Sequence, residues 1–242
     1  MLTAIVTGVS RGLGEALAAE LLARDCRVLG VGRASSARLE NDRYRFAQCD
    51  LGDPAAMSAV IAPAFEAIVG ERPDGVCLIN NAATVEPVGV LGTLETAGIV
   101  SSLAVNLTAP VALANLFCRV FGDDSIERRI INVSSGAAQS TLPGESLYCI
   151  GKAGLEMLTR SLAAEHSAPG FRAITLRPGI IDTAMQVFAR TQPKERLPSV
   201  DLFKGFHADK QLVAPSVVAR KVVDRLVLAP VEHGRTYSYA EL

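Results

Sequence analysis

Tryptophan is missing from the 242 residues and aromatics make up only 5% of them, against a hydrophobic share of 49% and 20 glycines. That mix suits a buried parallel sheet covered by Ala- and Leu-rich helices. An excess of one charge is also missing. With 24 Lys and Arg against 25 Asp and Glu, the formal charge is −1, so nothing steers the chain toward DNA, RNA or an anionic membrane. No apolar run reaches the roughly 18–20 residues of a membrane span. The opening MLTAIVTG carries no basic leader and is expected to be a strand, not a signal peptide. The five cysteines (Cys26, Cys49, Cys77, Cys118, Cys149) form no CxxC pair and read as buried free thiols of a reducing, cytoplasmic compartment. His166, His207 and His233 are too scattered for a ligand set, so no metal is expected. Repeats, low-complexity tracts and linkers are lacking. One domain over 1–242, holding all its sites, follows from the length.

What is present is alternation. Residues 2–7, 27–31, 44–48, 75–79, 129–133 and 172–176 read as buried strands, with a short last one near 235–239. Between them, 13–24, 54–69, a long helix within 95–121, 146–167 and 215–228 read as helices. Asp53 before Pro54 is a helix start, a capping carboxylate followed by a residue with no amide hydrogen. Strand and helix in turn predict an α/β doubly wound parallel sheet of the Rossmann type. From 178 to 214 the pattern gives way to a Pro- and charge-rich stretch, too long for an ordinary connection and therefore functional or mobile.

The first strand ends in Thr7-Gly8-Val9-Ser10-Arg11-Gly12-Leu13-Gly14. Glycines at 8, 12 and 14 allow a tight turn and close approach to a pyrophosphate, and the amides opening the next helix face those phosphates. The second strand ends Val31-Gly32-Arg33-Ala34-Ser35-Ser36, with no acid before Glu40. A site for NAD places a carboxylate there to take the ribose hydroxyls. Arg33 can instead pair with a 2′-phosphate, with Arg11 as a second cation and Ser10 and Ser35 as donors, so NADP(H) is the expected dinucleotide. Further on, Tyr148 and Lys152 share one helix face, and an ammonium beside a phenol favours the phenolate. Cys149 beside them has no nearby base in sequence that would make it a nucleophile.

The glycine spacing, G-x-x-x-G-x-G, together with Tyr148-Cys149-Ile150-Gly151-Lys152 and Ser135 thirteen positions before Tyr148, resembles the short-chain dehydrogenase/reductases over nearly the whole chain. The Tyr-Cys-x-x-Lys-Ala-Gly run also looks like that of the benzil and sepiapterin reductases. The resemblance implies Tyr148 as proton donor or acceptor, Ser135 on the substrate carbonyl oxygen, Lys152 on the nicotinamide ribose, and Asn106 holding a water near the lysine. It further implies Asp50 and Leu51 at the adenine. Asn80 would lie beside the adenosine, in an Asn80-Asn81-Ala82-Ala83 turn whose last residue is Ala where the family has Gly. Pro178, Gly179, Ile181 and Thr183 would sit at the nicotinamide carboxamide. Met185, Val187, Phe188, Leu202, Phe203 and Phe206 fall in a stretch, about 182–213, that in the family lies over the site as a lid. An apolar or aromatic carbonyl or alcohol substrate and a homodimer or homotetramer would follow. NADPH-dependent carbonyl reduction is the leading expectation. An NADP-linked alcohol dehydrogenase working in oxidation and a silent dinucleotide sensor are the alternatives.

Overall fold

In the computed structural model, which describes residues 1–122 and 125–242, the apolar runs form seven strands, β1 (Leu2–Thr7), β2 (Arg27–Gly32), β3 (Tyr44–Gln48), β4 (Gly75–Asn80), β5 (Glu127–Val133), β6 (Phe171–Arg177) and β7 (Thr236–Ser238). They lie in one parallel sheet ordered β3-β2-β1-β4-β5-β6-β7. The helices are α1 (Gly12–Ala23), α2 (Pro54–Gly70), α3 (Thr96–Leu103), α4 (Ala109–Val120), α5 (Ser146–Glu165), α6 (Ala184–Arg190), α7 (Val200–Ala208) and α8 (Pro215–Val222). This is a single-domain Rossmann α/β fold.

A parallel sheet buries both faces because every crossover lays a helix on one of them. On one face Val6, Ile79, Ile131 and Ile174 pack with α1 and α8 through Leu17, Leu21, Val218 and Val222. On the other, Ile5, Leu78 and Ile130 meet α2 and α4 through Ile61, Phe65, Leu113 and Phe117. The central strands carry apolar runs without alternation for this reason, whereas the edge strands β3 and β7 are only partly buried. Asp53 caps α2 as the sequence predicts, its Oδ1 accepting from the amides of Ala55 (2.9 Å) and Ala56 (3.2 Å), which is worth about 1 kcal/mol.

One expectation gains a detail and two need correction. The long helix is α3 and α4 joined by a wider π turn, Ala104–Thr108, a local loosening common at functional positions. This joined helix, Thr96–Val120, is long and apolar enough to cross a membrane by length and composition, its most apolar 18 residues having a mean hydropathy of 1.6. Polar Ser101, Ser102, Asn106 and Thr108 interrupt its run of apolar letters, which hides it in the sequence, and here it packs on the sheet. Finally, the stretch expected to be irregular holds α6 and α7. Pro193 and Pro198 cut it into short pieces. Ala189, Leu197, Val200 and Phe203 close a small core of their own with Val88.

Candidate active site

The sheet changes direction of growth at β1, whose neighbours are β2 on one side and β4 on the other. A crevice opens at the carboxyl ends of such strands. Thr7 fixes its floor, its hydroxyl accepting from the amides of Asn81 and Ala82, both at 2.9 Å. The Asn81 side-chain amide donates to the Thr7 carbonyl at 2.8 Å. The turn above follows its glycines. Gly12 has φ +66°, and a Cβ on Gly14 would collide with the Gly8 carbonyl and the Asn81 amide. Only hydrogen fits where the chain turns back this closely.

The crevice widens into a cavity of about 1700 Å³, beyond the ordinary range of roughly 300–1,000 Å³ for one small ligand. It has room for a dinucleotide and a substrate together. Its wall brings together Gly8, Ser10, Arg11, Gly12, Leu13, Gly14, Arg33, Asp50, Leu51, Ser135, Tyr148, Lys152, Pro178, Gly179, Ile181 and Thr183. Arg11 and Arg33 are exposed at its rim, while Ser35 is engaged with the Tyr44 hydroxyl at 2.7 Å. The Asp50 carboxylate accepts from the Gly52 amide at 2.9 Å. Ile181 forms a bridge with Val213 in which the hydrogen bonds run through the neighbouring residues, Asp182 to Val213 (2.9 Å) and Val213 to Ile180 (2.8 Å). Its own amide and carbonyl take no part in that bridge, and the residue lines the cavity.

Two residues sit elsewhere. The Asn80 side chain is buried below the crevice, its amide donating to Asn132 Oδ1 at 2.9 Å. The next residue, Asn81, lines the cavity instead. Asn80 is the last residue of β4 and points into the layer between sheet and helix, whereas Asn81 has left the strand. Asn106, fully buried in the π turn, spends its side chain as a clasp. Its Oδ1 accepts from the Thr84 amide at 2.9 Å, and its Nδ2 donates to the Thr84 carbonyl at 2.7 Å and to Ser102 at 3.3 Å. With both ends of the amide engaged, that side chain positions the loop after β4. Val187 is also misplaced by sequence reasoning. It is 45% exposed and does not line the cavity, whereas Met185, Phe188, Phe203 and Phe206 do, as does Leu202 although it is itself 43% exposed.

Tyr148 and Lys152 lie one turn apart on α5. The Lys152 side chain is 2% exposed, donates from Nζ to the Val133 carbonyl at 2.7 Å and lies 5.5 Å from the centre of the Tyr148 ring. Burial pulls its ammonium down to about 8 because a charge is costly away from water. Tyr148 moves the other way from the sequence expectation, its phenol pushed up to about 12. Burial dominates, and a hydrogen bond with the Ser135 hydroxyl offsets it only in part. In the chain by itself, desolvation outweighs cation tuning, so the phenol stays protonated at neutral pH. Ser135 also caps the turn after β5, accepting from the Ala137 amide at 3.2 Å. Beside it Ser134 donates to Glu156 Oε1 at 3.0 Å. Glu156 takes both arms of the Arg177 guanidinium at 2.7 Å, so α5 and the ends of β5 and β6 are tied at one point.

Glu145 was not singled out in the sequence. It immediately precedes α5, lines the cavity, is only 3% exposed, and its Oε1 has no hydrogen-bond partner. Its spacing of three from Tyr148 was readable as one helix face. Its burial was not, since an acid at a helix start is ordinarily solvated and favourable there.

A nicotinamide dinucleotide fits this wall by the structure's own features: a glycine turn that a side chain would obstruct, rim arginines for phosphate, and a buried lysine beside a phenol. Comparison with known proteins agrees. The model of the short chain dehydrogenase family matches residues 2–194. The benzil reductase ((S)-benzoin forming) of Bacillus subtilis (strain 168) is 30% identical over 239 residues, 98% of each chain. The sepiapterin reductase of Meriones unguiculatus is 37% identical over 202 residues, 77% of this chain and 76% of its own. A solved short chain dehydrogenase from Burkholderia cenocepacia J2315, in complex with NADP, superposes with a TM-score of 0.75 at 27% identity, covering 97% of this chain and 94% of that one. A phenol, a serine and a buried lysine on one wall, beside a dinucleotide-shaped turn, belong to an oxidoreductase, and this chain is a member of the short-chain dehydrogenase/reductase family.

Proposed function

We propose that the chain reduces the carbonyl of an uncharged apolar or aromatic ketone or diketone to an alcohol, using NADPH. The observation that carries this is the arrangement of Tyr148, Ser135 and the buried Lys152 together on the wall of the glycine-turn cavity, with burial keeping the phenol protonated. A protonated acid is the form that reduction consumes. The cofactor would supply the hydride. Gly8, Ser10, Arg11, Gly12, Leu13 and Gly14 would hold its pyrophosphate, and Asp50, Leu51 and Asn81 would border the adenosine. Lys152 would hold the nicotinamide ribose, with Pro178, Gly179, Ile181 and Thr183 at the carboxamide. Tyr148 donates its proton to the substrate oxygen while Ser135 steadies the charge developing there.

Arg33 and Arg11 support NADPH over NADH, as does the NADP complex of the Burkholderia relative. Leu142, Met185, Phe188, Leu202, Phe203 and Phe206 support an apolar substrate under a lid formed by α6 and α7, and the benzil reductase relative supports a diketone. A homo-oligomer joined through α3, α4 and α5 would cover Val100, Val111, Ile150 and Met157, which are 42–62% exposed. The five free thiols fit a reducing, cytoplasmic setting.

The test is cofactor oxidation with a panel of aromatic ketones and diketones, NADPH and NADH side by side. Turnover with NADPH is expected, and Tyr148→Phe should lower it at least about a hundredfold, the scale of a lost general acid. Wild-type-like turnover in that variant would overturn the assignment.

A further inference from the structure

The carboxyl group of Glu145 is a buried polar group that the chemistry above leaves unused. Native interiors pair nearly all such groups, and one left without a partner asks for a reason. It forms no ion pair or hydrogen bond among the described residues; its Oε1 is buried without a partner, while the residue itself is part of the cavity wall. Only its main chain is engaged, the amide donating to the Leu142 carbonyl at 2.9 Å and the carbonyl accepting from the Cys149 amide at 3.0 Å. These bonds hold the residue at the mouth of α5, three positions before Tyr148 and thus on the same face. The carboxyl group lies near enough to the phenol for its charge to act on Tyr148. Leu142, whose carbonyl the Glu145 amide meets, lines the same cavity, as do Phe188 and Phe203.

On the carbonyl-reduction reading, Tyr148 and Ser135 both attend one oxygen, that of the carbonyl being reduced. We infer that Glu145 binds a second oxygen of the same molecule, on the carbon next to the reacting one, and so makes a vicinal dicarbonyl the preferred substrate over a simple ketone. Burial pushes the Glu145 carboxyl up to about 7, so near neutrality a large share of it is protonated. A neutral carboxyl can donate a hydrogen bond to a carbonyl oxygen, which a carboxylate cannot. A substrate with no oxygen at that place would leave the carboxyl still unpaired, and a buried polar group without its partner is what lets a site reject an analogue lacking one atom.

The experiment uses the whole chain with NADPH and a matched pair of probes: a diaryl vicinal diketone and the monoketone in which a methylene replaces one carbonyl. A diketone is intrinsically the more reactive, so the readout is the change in the kcat/KM ratio between wild type and variant. Glu145→Leu is expected to lower the diketone-to-monoketone ratio at least tenfold, through a raised KM for the diketone. Glu145→Gln, which keeps a donor, is expected to hold the ratio within about threefold. A ratio unchanged in Glu145→Leu overturns the inference, and so does a fall in Glu145→Gln as large as in Glu145→Leu. If Glu145→Leu fails to fold, Glu145→Met carries the same expectation. The two readings fail differently. No turnover of either probe by the wild type with NADPH or NADH overturns carbonyl reduction and this inference with it. Turnover of both probes with an unmoved ratio removes Glu145 alone.

Discussion

The two halves of the cavity are built on different terms. In the half made by strand ends, and in the layer beneath it, buried polar groups are mostly tied, with Asn80 Oδ1 the exception. Asn132 donates to Thr159 and accepts from Asn80, and Thr175 donates to Thr159, all between 2.8 and 2.9 Å. Thr7 and Asn81 hold one another across the crevice. In the half beneath α6 and α7 the contacts are mostly apolar, and buried polar atoms stand alone: Glu145 Oε1, Gln186 Oε1 and Arg190 Nη1. The first half is a socket whose shape is set before anything enters it. The second has polar groups in reserve and a small core of its own. On the proposed reading, the contrast puts the shared chemistry on the sheet, where geometry is over-determined, and selectivity on short helices that are loosely specified.

The sharpest way to break this contrast is to cut one tie in the strand-end half. Asn132→Ala, at a fully buried position, strands the Asn80 amide without a partner and removes one of the three hydrogen bonds of the Thr159 hydroxyl. The expected loss is about 2–4 kcal/mol, read as a lower urea midpoint at unchanged slope. A loss under about 1 kcal/mol would show that the network is not what holds this half together.

A somewhat smaller effect should come from Glu145 through pH. Its folded pKa of about 7 stands above the ordinary 4.5 because of burial. The folded state therefore holds a proton that the unfolded state has released. Stability from this group is complete below the unfolded pKa and is lost as pH rises through the folded one. Glu145→Gln, which cannot ionise, escapes that loss. The variant-minus-wild-type difference in unfolding free energy should thus grow by about 2 kcal/mol in the variant's favour from pH 5 to pH 8. A flat difference would mean that the carboxyl finds a partner or water.

How far the molecule could be read beforehand follows the same division. The strands were legible because a doubly covered sheet demands unbroken apolar runs, and Asp53-Pro54 announced α2 outright. Gly8, Gly12 and Gly14 were legible because only glycine satisfies the turn, and the close spacing of Tyr148 and Lys152 marked a shared face. What escaped depended on three-dimensional surroundings. Asn80 and Asn81 are equivalent as letters, and only the end of β4 decides which one sees the cavity. Asn106 is in place, yet its side chain is consumed by Thr84. The ammonium was legible as a neighbour of the phenol, but the burial that overrides it was not. In the lid, prolines erased the helical period that α6 and α7 nonetheless satisfy over seven and nine residues.

At the rim of the socket the effect should be selective. Arg33 is exposed and lines the cavity, so Arg33→Ala removes charge with little loss of packing. The expected result is a rise of about tenfold or more in KM for NADPH, with KM for NADH nearly unchanged, since only the former offers a 2′-phosphate to a guanidinium. An equal rise for both would assign Arg33 to a feature the two dinucleotides share and remove the main support for NADPH.

The smallest effect belongs to the lid. Phe206 is half-buried and meets Phe203 edge-on, ring centres 6.2 Å apart at 87°, an arrangement worth about 0.5–1.5 kcal/mol. Phe206→Ala should lower stability by about 1 kcal/mol or less, because α7 keeps Val200 and Phe203 in its own small core. Its kinetic mark should be a KM for aromatic substrates raised about three- to fivefold with kcat little changed, the pattern of lost uniform binding. Steady-state kinetics on the variant decides the matter. Should kcat fall tenfold while KM stays put, the ring acts on the reacting centre, and the lid would have to be counted with the socket instead of against it.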